Sequence, residues 1–398
     1  LFLKVTGSPV KTIILFTCNF TAMKKLIFIL FALILGVALC NAQALFSPNG
    51  KIEVAVKTIN GKPSLLINYE KRADIPVSIG LNTSQRNFEE VQRVEIGEIT
   101  KVVDDYHMIT GKKSHCHNEA NETKLTLYNY KDSPLVIVIR AYNDGVAFKY
   151  KLPDVCDDVE KLLAENTSFS IQNGLKRWML RYTPEYENFY PMNTNGINPD
   201  KESVTEWGFP ALVEIGSESF CLLTEANIRR GHCGAHLANS IEDRSEYKIK
   251  YVSKKIALPR EPDGSWESPW RVMIIGSLAD VVESTLVTDV SAPCAIGDTS
   301  WIKPGVSSWI YWAYNNGSKD KKLLCDYVDL AAEMKWPLTL VDAEWDDIKD
   351  GSVEDVIEYS KSRGVKPMLW YNSSTAQWIQ QAPGPKFRLT ATYTSQYE

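Results

Sequence analysis

The chain has no lysine- or arginine-rich tract. Its formal charge is −5 over 398 residues, with acidic and basic residues interspersed. A surface that follows a phosphate backbone needs clustered basic residues, so nucleic acid is not an expected partner. Cysteine is sparse for a chain of this size. Once a leader is set aside, six remain, Cys116, Cys156, Cys221, Cys233, Cys294 and Cys325, at irregular spacing. No disulfide framework is required, although one bridge in an oxidising compartment stays open. Helical periodicity is nearly absent from about Ala44 to Asp289, apart from a turn expected near Asp157 to Ala164. Membrane-length apolar runs are missing too. The longest run, Leu26–Leu39, falls short of the roughly 20 residues that cross a bilayer.

That run has another reading. Met23-Lys24-Lys25 precedes it and Cys40-Asn41-Ala42-Gln43-Ala44 follows. A basic start, an apolar stretch and a small-residue exit make a secretory signal peptide, here residues 23–42, with cleavage after Ala42 or Ala44. The expected location is therefore secreted and periplasmic, with no membrane span after cleavage. Lipoprotein anchoring through Cys40 fits less well, because Leu39 is a poor residue just before a modified cysteine. Residues 1–22 precede Met23 and read as translated upstream sequence.

What the chain has in quantity is strand signal. Lys51–Lys57 alternates polar and apolar residues. Asn60-Gly61 follows as a two-residue hairpin signal, and Leu65–Tyr69 returns. Further strands are expected at Lys124–Tyr128, Leu135–Tyr142, Val146–Tyr150, Ala211–Ile215, Phe220–Thr224, Tyr247–Val252 and Arg271–Ser277, with Asn143-Asp144-Gly145 as a hairpin turn. Many short strands at short spacing predict one large β-sandwich over residues 44–295. Within it, Glu225 closes an apolar strand, either as an edge charge or as a placed ligand. Tyr182–Tyr190 gathers aromatics and two carboxylates in a loop, for which simple packing is the favoured reading. His115-Cys116-His117 puts both histidines on one face if extended, and His232-Cys233-x-x-His236 offers two or three ligands. Neither has the matching second half that a zinc site needs.

From residue 300 the pattern changes to strand, helix, strand, helix, strand. Val306–Tyr314 is β-branched and aromatic, and Ser318 is expected to cap the helix that follows. Pro337–Val341 is continuously apolar, as for a parallel strand buried on both faces. Ser352 and Asp355 form a capping box, Gly364 stops that helix, and Pro367–Trp370 is the third strand. This is the opening of a (β/α)8 barrel, in which function sits at the strand ends. The strand ends carry Trp312, Asp342, Glu344, Trp345, Asp346, Trp370 and Asn372. Aromatic faces cover the apolar side of a sugar ring while carboxylates and amides bind its hydroxyls, so these seven are the candidate substrate-binding residues. Asp342, Glu344 and Asp346 alternate, and an extended backbone would aim them the same way. Asp347 reads as the start of the next loop.

In combination, Ser268-Pro-Trp-Arg271, Pro304-Gly-Val-Ser-Ser-Trp-Ile-Tyr-Trp312, Leu369-Trp-Tyr-Asn-Ser-Ser374 and Pro383-Gly-Pro-Lys-Phe-Arg-Leu389 resemble glycoside hydrolase family 97. Arg140–Phe148 and Thr224-Glu-Ala226 fit its sandwich. The wording is closer to the retaining α-galactosidase branch than to the inverting α-glucosidase branch. The resemblance implies a galactose-mutarotase-like sandwich, a catalytic barrel and an oligosaccharide or α-glycoside substrate. It also implies a calcium ion held by carboxylates from both parts, with Glu225 as the sandwich ligand. A glycosidase needs two carboxyl groups at the scissile bond. The family places them on the fourth barrel strand and beyond, whereas residues 390–398 show neither that strand nor its aspartate. The barrel over residues 300–398 is therefore read as truncated. No catalytic residue is assigned within the chain; the pair is expected downstream of Glu398, and the chain as it stands is expected to be inactive. The competing readings are an α-glucosidase of the same family and a non-catalytic secreted carbohydrate-binding sandwich.

Overall fold

The computed structural model describes residues 44–371, with 60–61, 156–158, 184–187, 230 and 315–316 excepted. Asn372, Glu398, the signal-peptide segment and Cys156 thus lie outside the described residues. Two antiparallel sheets dominate. One runs, in spatial order, through Leu45–Phe46, Ile52–Ile59, Lys62–Tyr69, Ala73–Ser78, Ser168–Ser170, Glu246–Tyr251, Ala235–Ala238 and Glu206–Trp207. The path of the other is Met192–Asn193, Arg177–Trp178, Ala211–Gly216, Ser219–Ala226, Trp270–Gly276, Gly145–Leu152, Pro134–Tyr142, His115–Tyr128 and Arg93–Ile96.

Side chains alternate across each strand, so each sheet sends every second residue inward. Ile52, Val54, Leu65, Ile67 and Val77 from the first sheet meet Leu125, Ile137, Phe148, Val213, Leu223 and Met273 from the second in one core. That is a β-sandwich. The second sheet is also buried on its other face: Ala147, Val272 and Ile274 pack there against Val281, Leu286 and Val290. The cover comes from two short helices, Leu278–Glu283 and Leu286–Asp289, which the sequence reading did not anticipate. Ser277, expected as the end of a strand, is instead the N-cap of the first, in a capping box with Asp280.

Each strand expected in the sandwich is found within a residue or two, many of them extended. His115–Tyr128 begins nine residues ahead of the expected Lys124, and His115 and His117 are exposed on one face with Cys116 buried between them. Tyr142 pairs with Gly145 across the expected turn. Glycine is required there, because a Cβ would stand 2.2 Å from the Met273 carbonyl oxygen. Of the turn expected near 157–164, residues 157–158 lie outside the described residues and 161–164 are strand. Lys161–Glu165 is a strand, and it pairs with Leu81–Thr83 and Ile256–Ala257 in a small third sheet. Cross-strand burial of Leu162 and Glu165 outweighs the local helical signal there.

After the sandwich, Ser307–Trp309, Leu338–Val341 and Lys366–Leu369 form a parallel three-stranded sheet in chain order. The intervening helices are Lys321–Glu333 and Val353–Ser362. The Ser352–Asp355 capping box and the stop at Gly364 are as expected, Gly364 having φ of 76°. Three details differ. The first strand stops at Trp309, because the Ile310 carbonyl accepts from Ala313 and Tyr314 and turns the chain. Asp320, rather than Ser318, caps the first helix by accepting from the Leu323 amide at 3.0 Å. The middle strand is buried on one face only. Thr339 and Val341 point into the helix side, while Leu338 and Leu340 are half-buried opposite.

Candidate functional site at the parallel strand ends

Alternation decides which side chains share the face away from the helices. Ser308 points to the helices, donates to the Tyr327 carbonyl at 2.8 Å and shares a 2.9 Å hydrogen bond with the Thr339 hydroxyl. Trp309, its neighbour, therefore points the other way, as does Asp342 one residue beyond Val341. The two meet: the Trp309 indole N–H donates to Asp342 Oδ2 at 2.6 Å. The other Asp342 oxygen accepts from the Ala343 amide. Trp312 stands beside them with its ring 4.6 Å from that of Trp309, and it is 74% exposed. A fixed carboxylate thus lies next to an open indole face at a strand end.

The expected fan of three carboxylates is not what forms. Glu344 adopts the left-handed conformation, with φ of 69°, and Trp345–Asp347 closes into a 3₁₀ turn. A non-glycine residue there is strained, and such strain gathers at functional sites. The turn carries Glu344 to Lys319, whose ammonium lies 2.8 Å from Glu344 and 3.5 Å from Asp347. The hydrogen bond to Glu344 holds the Lys319 pKa above its ordinary value. Burial, followed by the charges of Glu344 and Asp342, raises the Tyr311 hydroxyl as well. Glu344 Oε2 is buried without a hydrogen-bond partner among the described residues. Asp346, half-buried in the same turn, does not share the face of Asp342 through an extended backbone.

Trp345 is packed, not presented. It is 8% exposed among Ile310, Leu324, Val341 and Val356, its ring edge-on to Tyr371, and its N–H donates to the Trp370 carbonyl at 2.8 Å. Trp370 is half-buried at the third strand end, its amide donating to Val341. Trp309 and Lys319 were not among the residues nominated from sequence. Trp309 was within reach, because it precedes Trp312 in the same aromatic run. Lys319 sits in a turn with no spacing signal. Glu398, beyond which the sequence reading puts the catalytic carboxyls, lies outside the described residues.

Glu225 lies elsewhere, in the sandwich, directly across the strand pair from Arg271. Arg271, fully buried, makes two bonds to Glu165 at 2.8 and 2.6 Å and one to Glu225 Oε2 at 2.7 Å. Its Nη2 also lies 2.7 Å from the Tyr251 hydroxyl, which donates to Glu165 at 2.6 Å. The second Glu225 oxygen accepts from the Ala235 amide at 2.9 Å. Burial pushes the Glu225 carboxyl above its ordinary pKa despite the neighbouring guanidinium. For Glu165 burial acts in the same direction, but Arg271 outweighs it and holds the carboxyl below the usual value. Calcium takes about 6–8 oxygen ligands. Here both Glu225 oxygens are engaged and a guanidinium stands against one of them. Among the described residues, no three His, Cys, Asp or Glu side chains gather where a metal could sit. The described residues therefore do not fit a calcium ion at Glu225.

The family model Glycosyl-hydrolase 97 N-terminal matches residues 45–293, the stretch that builds the two large sheets. The chain belongs to glycoside hydrolase family 97. Among curated relatives, a probable retaining α-galactosidase of Streptomyces bingchenggensis is 26% identical over 308 residues, covering 74% of this chain and 46% of the relative. A retaining α-galactosidase of Bacteroides thetaiotaomicron is 23% identical over 408 residues, covering 87% and 58%. The chain spans about half the length of these relatives. Two solved structures share its fold. A β-arabinopyranosidase superimposes with a TM-score of 0.71 at 23% identity, over 86% of this chain and 57% of that one. A family 97 enzyme of Pseudoalteromonas sp. strain K8, in complex with acarbose, gives 0.70 at 18% identity, over 85% and 56%.

Proposed function

We propose that this family 97 chain carries the sandwich and the first three barrel strands of an exo-acting retaining α-galactosidase of the periplasm, and that its strand-end residues bind the sugar without themselves cleaving the bond. The observation that carries this reading is the Trp309–Asp342–Trp312 group at the parallel strand ends. It joins a buried, oriented carboxylate to an exposed aromatic face. A pyranose ring lies its C–H face on Trp312 while Asp342 accepts from a ring hydroxyl. The Trp309 N–H holds the carboxylate in place, so the carboxylate is preorganised before sugar arrives. Two retaining α-galactosidases among its curated relatives support the galactoside over the glucoside. Among the described residues no helix is long and apolar enough to cross a membrane. The periplasmic location rests on the signal-peptide reading of residues 23–42.

Retaining hydrolysis needs a nucleophile and an acid/base about 5–5.5 Å apart. The carboxylates described at the strand ends are otherwise committed: Asp342 to Trp309, Glu344 and Asp347 to Lys319. The 398-residue polypeptide is therefore expected to show no release of nitrophenol from nitrophenyl α-galactoside above a protein-free blank. Turnover clearly above blank in purified protein, lost on mutating Asp342, would place a catalytic pair within these residues and overturn this part of the reading.

A further inference from the structure

We propose a second carbohydrate site on the sandwich itself, in the pocket between the Thr83–Glu90 loop and the Asn129–Lys131 turn, for a neutral mono- or disaccharide. The pocket holds about 380 Å³, within the range of small-ligand sites. Its frame is rigid. The Thr83 amide donates to the Arg86 carbonyl at 2.8 Å, fully buried Phe88 anchors the loop, and buried Asn129 accepts from the Lys131 and Ser133 amides.

Upon that frame stand four lining side chains with nothing to bind: the side-chain groups of Gln85, Glu90, Tyr130 and Lys131 make no hydrogen bond or ion pair with other described residues. Tyr130 is 69% exposed at the wall of the pocket. An aromatic ring, an amide, a carboxylate and an ammonium, all unengaged and facing one cavity, are the groups that stack on and hydrogen-bond a polyhydroxylated ring.

Charge narrows the ligand class. Arg86, the remaining cation, is consumed by Glu160 at 2.7 Å and Asp154 at 3.1 Å. Glu89 accepts from Asn82 at 2.8 Å. What is left free is one positive and one negative group, which favours neither an anion nor a cation. The choice of a galactose-containing sugar as probe rests on the proposed function; the neutral, hydroxyl-rich class does not.

The test titrates melibiose, a galactose-containing disaccharide, by calorimetry into the full chain carrying Trp312→Ala, so that the strand-end surface is disabled. Saturable binding is expected to persist and to weaken about tenfold when Tyr130→Ala is added. Gln85→Ala gives a second, independent loss; both positions are exposed, and unchanged circular dichroism confirms the fold. Binding that Tyr130→Ala and Gln85→Ala both leave unaltered would overturn the proposal. So would melibiose binding to the unmutated chain that Trp312→Ala abolishes, a result that leaves the strand-end reading standing.

Discussion

Replacing Arg271 by methionine is expected to cost about 3–5 kcal/mol of folding stability, read as a lower urea midpoint. Arg271 and Glu165 are fully buried and Glu225 nearly so, with side-chain exposures of 0%, 0% and 8%. Removing this cation leaves two carboxylates facing each other in a dry interior, where neither can be hydrated. An exposed pair such as Lys322–Asp326 contributes far less, because water solvates both ends. The two carboxylates carry opposite pH signatures. The folded Glu165 pKa is lowered, so its contribution is present above the unfolded value and is lost as pH falls through the folded one. The folded Glu225 pKa is raised, so its contribution is present below the unfolded value and is lost as pH rises. Glu225→Gln mimics the protonated form. Its stability relative to the parent is therefore expected to improve as pH rises from about 4 to about 7 in a series of urea melts. A relative stability that falls over the same range would contradict the assignment.

Trp345→Ala is expected to cost a similar amount, about 3–5 kcal/mol, but within the parallel three-stranded unit. Its indole fills the space between the middle strand and both helices, and ties the Trp345 turn to Trp370. The loss should appear as protease cleavage within residues 300–371 while the sandwich stays intact. Trp312→Ala, at a largely exposed ring, should change stability by no more than about 0.5 kcal/mol. Equal resistance of the two variants would mean that the packing of Trp345 described here is wrong.

Those two tryptophans show what the sequence could and could not tell. Both follow a strand within a few residues, and composition alone made Trp312 and Trp345 equal candidates. Only the turn at Glu344 buries the second. The strands themselves were legible because period-two alternation is local, and the Ser352–Asp355 box was legible because both members lie within one turn. The carboxylate fan failed for the complementary reason: it assumed an extended backbone past Val341, where the chain turns into the left-handed region at Glu344. Glu225 looked like an available ligand because Arg271, which engages it, lies 46 residues away and reaches it only through sheet pairing. Lys319 was invisible for the same reason, since its partners come from the next strand end.

The central claim is that Trp312 and Asp342 form a galactoside-binding surface. Calorimetric titration of methyl α-D-galactopyranoside into protein carrying Tyr130→Ala, with the sandwich pocket disabled, tests it most directly. Binding is predicted, stronger than for methyl α-D-glucopyranoside, and weakened at least about tenfold by either Trp312→Ala or Asp342→Asn, the loss of a stacked ring or a charged hydrogen-bond acceptor. Galactoside binding that neither substitution alters, or a preference for the glucoside, would contradict it.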